Sequence, residues 1–159
     1  MAKKIKWLIK ELRYSKQLHK SANVILKSRI ESLIFAVEKY TQSKTAENLH
    51  DVRIALRRVR YSMELFYVCF NKKDFMRFYN KIQNLQDLSG FTRDIDITLE
   101  NVYSVFGENA VPLNDAFTNK INEKKLFLEE QFNKELQKFI NGKSLKIFIN
   151  KIISQGEPI

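Results

Sequence analysis

Four arginines and one histidine stand in the run Leu49–Phe66, interleaved with apolar residues at helical spacing. On a helix, Leu49, Val52, Leu56, Val59, Met63 and Phe66 recur at steps of three and four and make one apolar stripe. His50, Arg53, Arg57 and Arg60 make a second stripe beside it, within about 80° of arc. Ile54, Tyr61 and Leu65 bound its far edge. Cations with apolar residues on both flanks are not an ordinary solvated face. The arginine guanidinium offers a planar fork of donors that matches paired phosphate or carboxylate oxygens. The chemistry this stripe can do is anion binding.

Other chemistries find less support. A charged histidine can donate from both ring nitrogens, so His50 can join the arginines on an anion; packing at a helix N-terminus is its plainer role. No Cys, Asp or second His stands from it at metal-ligand spacing, and no Ser or Cys pairs with it as a hydrolase triad requires. His19, in the basic segment Lys16–Lys20, reads as a surface residue. Asp94 and Asp96 invite a Mg²⁺ or acid–base reading. Two apart on a helix, however, they diverge by about 160° and cannot form one site unaided. They read better as partners that orient arginine side chains. The single cysteine, Cys69, lies in the apolar stretch Leu65–Phe70; it excludes an internal disulfide and reads as a buried structural thiol. No catalytic residue, metal or cofactor is expected.

The elements that position these residues read as helices. Gly and Pro number only 4 and 2 in 159 residues, too few for many tight hairpins, and 44% of the chain is hydrophobic, enough for a core. A first helix is expected over roughly Lys3–Thr41, with a break near Tyr14-Ser15, burying Leu26, Ile30, Leu33 and Val37. A second follows, capped by Thr45 or Asn48, and runs to about Phe70. Asp74 is a candidate cap for a third, with the stripe Phe75, Phe78, Ile82 and Leu85. Ser89-Gly90 is expected to interrupt it before it resumes to about Phe106. Gly107–Pro112 reads as a loop, and a long helix from about Leu113 to Ile140 buries Phe117, Ile121, Leu128, Phe132, Leu136 and Phe139. Asn141-Gly142 signals a C-terminal cap. Ser144 opens a last short helix carrying Leu145, Phe148, Ile149 and Ile152, and the tail from Gln155 is expected to fray. The fold class is all-α, an antiparallel helical bundle of four main helices with additional short ones. It is expected to be a single domain over residues 1–159, with about 15 N-terminal and about 5 C-terminal residues peripheral.

The formal charge of +10 points to a polyanionic partner: nucleic acid, an anionic membrane or a phosphate polymer. Lys3, Lys4 and Lys6 precede only Trp7-Leu8-Ile9 before the next charge, so no signal peptide is expected. No apolar run approaches membrane-spanning length, and a cytoplasmic protein is expected. Three further helices carry basic stripes. One holds Arg13, Lys16, Lys20 and Lys27, another Arg77 and Lys81, and a third Lys120, Lys124, Lys134 and Lys138. Taken singly, each reads as a solvated face. In a bundle, several can converge. At an effective dielectric of about 20, two like charges about 6 Å apart repel by roughly 3 kcal/mol, which an anion would relieve.

The run His50-Asp51-Val52-Arg53-Ile54-Ala55-Leu56-Arg57-Arg58-Val59-Arg60, with Met63 and Leu65-Phe66 after it, resembles the signature of the CHAD family (conserved histidine α-helical domain). Leu85–Gly90 with Arg93–Ile97 resembles that family's second recognisable stretch, and Ser144–Phe148 with Ile152 resembles a helix closing its first repeat. The resemblance implies a helical bundle that binds inorganic polyphosphate without catalysis, through a basic channel. It carries over to His50, Arg53, Arg57, Arg58 and Arg60. Lys20, Lys27, Lys81 and Lys124 match only in basic character and are the expected lining of the path. Association with polyphosphate granules would follow. The likeness covers one half of a usually two-fold architecture, about Lys16 to Ile153, with no second His…Arg-Arg run. A homodimer is the expected way to supply the missing half. The rival functions are a nucleic-acid-binding helical protein, which the charge fits and no motif supports, a phosphate-ester or polyphosphate hydrolase using His50 with Asp94 or Asp96, and a scaffold whose basic groove takes an acidic protein segment.

Overall fold

The computed structural model describes residues 18–106 and 115–154. They form α1 (Leu18–Gln42), α2 (Ala46–Leu65), α3 (Lys72–Phe106), α4 (Asp115–Asn141) and α5 (Lys143–Ser154), with a short 3₁₀ turn at Tyr67–Cys69 and no strand among them. The expected break near Tyr14-Ser15, the Gly107–Pro112 loop, the Leu113 helix start and the tail from Gln155 lie outside the described residues. The four long helices pack in chain order, α1 on α2, α2 on α3 and α3 on α4, while α5 touches α1, α3 and α4. One core joins them. It is built from the predicted stripes: Leu26, Ile30 and Leu33 of α1; Val52, Leu56, Val59 and Met63 of α2; Phe75, Phe78, Ile82 and Leu85 of α3. Phe132, Leu136 and Phe139 of α4 and Leu145 and Phe148 of α5 close it.

Local chemistry sets the ends. Thr45 caps α2, its Oγ1 accepting from the Asn48 amide at 3.2 Å, and the Asn48 side chain donates to the Ser43 carbonyl at 2.7 Å. The helix stops at Leu65, earlier than Phe70. The tighter turn that follows swings Phe66 and Cys69 back onto Ala22 of α1, where His19 Nδ1 meets the Cys69 carbonyl at 3.2 Å. Cys69 is the buried thiol expected, and burial pushes its pKa up. At α3, Asn71 takes the capping place given to Asp74, its Oδ1 accepting from the Lys73 amide at 3.1 Å.

Two further expectations are corrected. First, α3 runs through Ser89-Gly90 unbroken. Ser89 Oγ donates to the Gln86 carbonyl at 2.8 Å, Thr92 Oγ1 to the Leu88 carbonyl at 3.3 Å, and both residues are buried. A helical glycine costs only about 1 kcal/mol against alanine, less than packed turns on either side return. Second, the N-terminal half of α4 is not core. Phe117 is 47% exposed, and Ile121 and Leu128 are only half-buried. The lengths explain it: α3, with 35 residues, spans about 52 Å and α2, with 20, about 30 Å. The α3–α4 pair therefore outruns the α1–α2 layer, and the fully buried run on α4 begins at Phe132. Between α3 and α4 lies an apolar cavity of about 520 Å³, lined by Phe91, Ile95, Ile121 and Leu128 with Asp94 and Lys124 at its polar side.

Gly142 alone separates α4 from α5. A Cβ there would stand 2.6 Å from the Lys138 carbonyl oxygen, closer than backbone atoms permit. Gly142→Ala should cost about 1–2 kcal/mol in urea unfolding. Gly90→Ala, placed in open space, should not destabilise the protein.

Candidate anion-binding site

The basic stripe of α2 lies between two neighbours, and the helix turns its cations in three directions. His50 and Arg57 face outward and are exposed. Arg53 is half-buried against α3, where it feels Arg93, Asp94 and Asp96 as well as Arg57. Arg58, about 140° round the helix from Arg53, faces α1 and Arg29. The five motif residues therefore do not share one wall.

Arg53 is the electrostatic centre. Burial, and then the Arg93 charge, pull its guanidinium below the usual arginine range, and Arg57 adds to the effect; Asp94 and Asp96 oppose it. Those carboxylates lie near Arg53 without an ion pair to an arginine among the described residues, so the expected Asp–Arg pairing is corrected. Asp96, however, is held mainly by Lys125, at 2.6 Å across the α3–α4 seam, and this pair raises the Lys125 pKa. Three arginines thus gather where α2 meets α3, with Asp94 as the nearby carboxylate not held in that bridge. No group of three or more His, Cys, Asp or Glu among the described residues could hold a metal ion.

Arg60 is engaged elsewhere. Its Nε donates to Glu64 Oε1 at 2.9 Å and to the Tyr79 hydroxyl at 3.3 Å, and Tyr79 itself donates to Glu64 at 2.7 Å. The guanidinium also lies 5.9 Å from the Tyr79 ring centroid. These contacts, the Tyr79 hydrogen bond first, push the Arg60 pKa up, and Glu64 is held below the usual carboxylate range. The result is a fixed α2–α3 tie in which a phosphate would compete with a carboxylate already in place.

The lysines are dispersed. Lys124 is exposed and shares the α3–α4 cavity with Asp94, which puts it at the edge of the Arg53 cluster. Lys81 donates to Ser144 Oγ at 2.8 Å, on the α3–α5 seam. Lys27 is two residues from Arg29 and so about 160° round α1 from it; Lys20 lies on the same side as Lys27. Two arginines at these seams, Arg93 and Arg29, stand outside the predicted basic stripes. Arg93 was hidden by the expected break at Ser89-Gly90, since an interrupted helix loses its phase and no face can be assigned past the break. Arg29 lies off the Lys20–Lys27 face of the first helix.

Fold and site together define a class: an all-helical bundle whose second helix carries His-x₂-Arg-x₃-Arg-Arg-x-Arg between two neighbouring helices. The family model for the CHAD domain matches residues 3–102, and the chain belongs to that family. The match takes in both the His50–Arg60 run and the Leu85–Ile97 stretch; Ser144–Phe148 lies beyond it. Neither a curated protein nor a solved structure matches the chain. CHAD domains in general relate to polyphosphate binding or to triphosphatase partners. No helix among the described residues is long and apolar enough to cross a membrane.

Proposed function

We propose that this CHAD domain is a non-catalytic module that binds inorganic polyphosphate along the α2–α3 seam. Arg53, Arg57 and Arg93 grip successive phosphates, His50 adds an outer donor and Lys124 extends the path. One observation carries the reading: Arg53 is held half-buried beside Arg93 and Arg57, a like-charge arrangement that a polyanion would neutralise. A phosphate chain has no base edges to read and needs no stacking aromatics, and the gathered arginines supply none. The test is a polyphosphate titration of wild type and an Arg53→Gln/Arg57→Gln protein, with RNA and duplex DNA as competitors at equal phosphate concentration. Equal binding by both proteins would sink the proposal. Displacement by nucleic acid would favour the nucleic-acid reading instead.

The second wall of such a channel would come from a second copy of the chain. Tyr61, Leu65 and Val68 are 56%, 74% and 78% exposed, which leaves an apolar margin beside the arginines for that contact. Light scattering should give the mass of a dimer; a monodisperse monomer at working concentration counts against it.

A further inference from the structure

Spacing places Gln86 in the α2–α3 seam. It stands on α3 seven residues after Tyr79 and seven before Arg93. Seven residues are nearly two whole turns, so the three side chains follow one flank of the helix, each about 20° from the next. Tyr79 meets Arg60 of α2 at 3.3 Å, and Arg93 lies close enough to Arg53 to lower its pKa. This flank is therefore the α3 wall of the seam, with Gln86 at its middle. On α2, the stretch between Arg53 and Arg60 holds Leu56, fully buried, and Arg57, exposed.

Gln86 Oε1 is shielded from solvent and meets no hydrogen-bond donor among the described residues. Its backbone carbonyl is used, taking Ser89 Oγ at 2.8 Å, so only the side chain is left over. A buried acceptor without a donor destabilises a fold, because it has lost water and gained no partner. Arg57 is the matching half. No described residue forms an ion pair or hydrogen bond with its guanidinium, and it stands one turn of α2 beyond Arg53. Turned inward, it would enter the seam beside Arg53 and Arg93. In the free protein charge opposes that move. Arg93 and Arg57 already pull the Arg53 pKa down, and bringing a third guanidinium closer adds to the repulsion. A phosphate chain in the seam reverses the balance, since its oxygens neutralise the cluster. A guanidinium carries donors on more than one edge, so one edge can serve phosphate while another serves an amide oxygen.

We propose that Gln86 is a positioning residue of the anion site: a phosphate chain in the α2–α3 seam draws Arg57 inward, Gln86 Oε1 accepts from one edge of its guanidinium, and another edge is held against the chain. The inference rests on the polyphosphate reading of the seam and deepens it. The cations of α2 then act with an acceptor from α3, and a buried oxygen that stability alone does not select gains a role.

The test is a double-mutant cycle on the full chain, read by titration with long-chain polyphosphate and by urea unfolding. Gln86→Met keeps the length of the side chain and removes the acceptor. It should weaken polyphosphate binding about tenfold in the wild-type background. In the Arg57→Gln background, where the guanidinium it positions is gone, the loss should be no more than about twofold. Without polyphosphate, Gln86→Met should unfold at the same or a higher urea concentration, since it deletes an acceptor that has no donor. A glutamine that only supports the fold would do the reverse, lowering the midpoint and leaving affinity per folded molecule alone. The proposal is overturned if Gln86→Met binds as tightly as wild type, if it loses equally in both backgrounds, or if its urea midpoint falls. Failure of the seam reading looks different: Arg57→Gln and Arg53→Gln/Arg57→Gln would bind polyphosphate as wild type does, and the role of Gln86 falls with it. If those two weaken and Gln86→Met does not, the seam stands and only the role of Gln86 is lost.

Discussion

An Arg53→Gln/Arg57→Gln protein is expected to bind long-chain polyphosphate about 100-fold more weakly than wild type, with its fold intact. Each guanidinium removed takes away charge-assisted contacts worth about 1.5–3 kcal/mol, and each 1.4 kcal/mol is about tenfold in affinity. The fold should survive because neither side chain supports it. Arg57 is exposed, and Arg53 is held beside Arg93, so its replacement relieves repulsion. Salt gives a second, independent reading. Wild-type affinity should fall steeply with ionic strength as condensed counterions are exchanged, and the double variant should fall less steeply, by up to about two units of slope. Unchanged affinity and slope would show that the seam is not the site. Arg60→Gln makes the internal comparison. Its Nε already serves Glu64 and Tyr79, so its loss should cost binding less than either partner on the stripe.

The same geometry ranks the remaining cations. Binding along a groove depends less on how many charges a chain carries than on how many face one path. The chain carries +10, and the cations of the described residues fall on several flanks of the bundle. Where α2 meets α3 the fold gathers three arginines while committing one of the two nearby carboxylates, Asp96, to a lysine of the next helix. Lys124 adds to that path through its position near Asp94. Lys81 belongs to the α5 seam, and Lys20 and Lys27 belong to the far flank of α1.

Residues with strong helical periodicity could be read directly. The stripes Leu26–Ile30–Leu33 and Val52–Leu56–Val59–Met63 repeat at three and four, and every one of those side chains is buried. The local signals at Thr45 and Gly142 also mark real ends, since a cap hydrogen bond and a close carbonyl approach are set by one residue and its immediate neighbours. What the sequence concealed depends on partners distant in the chain. A helix facing one neighbour and a helix facing two have the same periodicity, so Phe117 reads as core although no third layer reaches it. Ser89-Gly90 reads as a break because propensity is local, whereas the packing that carries α3 past it comes from other helices. The arginine run was legible as a basic stripe beside an apolar one on a single helix. Its division between Arg53 and Arg58 was not, because a stripe on an isolated helix does not say which neighbour takes which edge.

Phe148→Ala is expected to destabilise the domain by about 3–5 kcal/mol while leaving polyphosphate affinity per folded molecule within about twofold of wild type. The Phe148 ring stacks on Phe78 with centroids 4.1 Å apart and meets Phe75 edge-on at 6.5 Å. Phe78 in turn contacts Phe139 of α4 at 5.5 Å, so one side chain of α5 ties two long helices together. Truncation leaves a cavity and removes a ring pair worth about 0.5–1.5 kcal/mol beyond its buried area. With 12 residues, α5 is too short to hold its helix in water without that docking. The binding seam should not feel the loss. Tyr79 and Lys81 stand two apart on α3 and so project about 160° apart; the first meets Arg60 of α2 and the second meets Ser144 of α5. The α5 contact and the α2 contact therefore lie on opposite flanks of α3. Urea unfolding should show the lowered stability, and titration well below the new midpoint should show retained affinity. An affinity that drops in step with the Arg53→Gln/Arg57→Gln protein would mean that the path for the polymer also crosses the α3–α5 seam, where Lys81 and Ser144 meet.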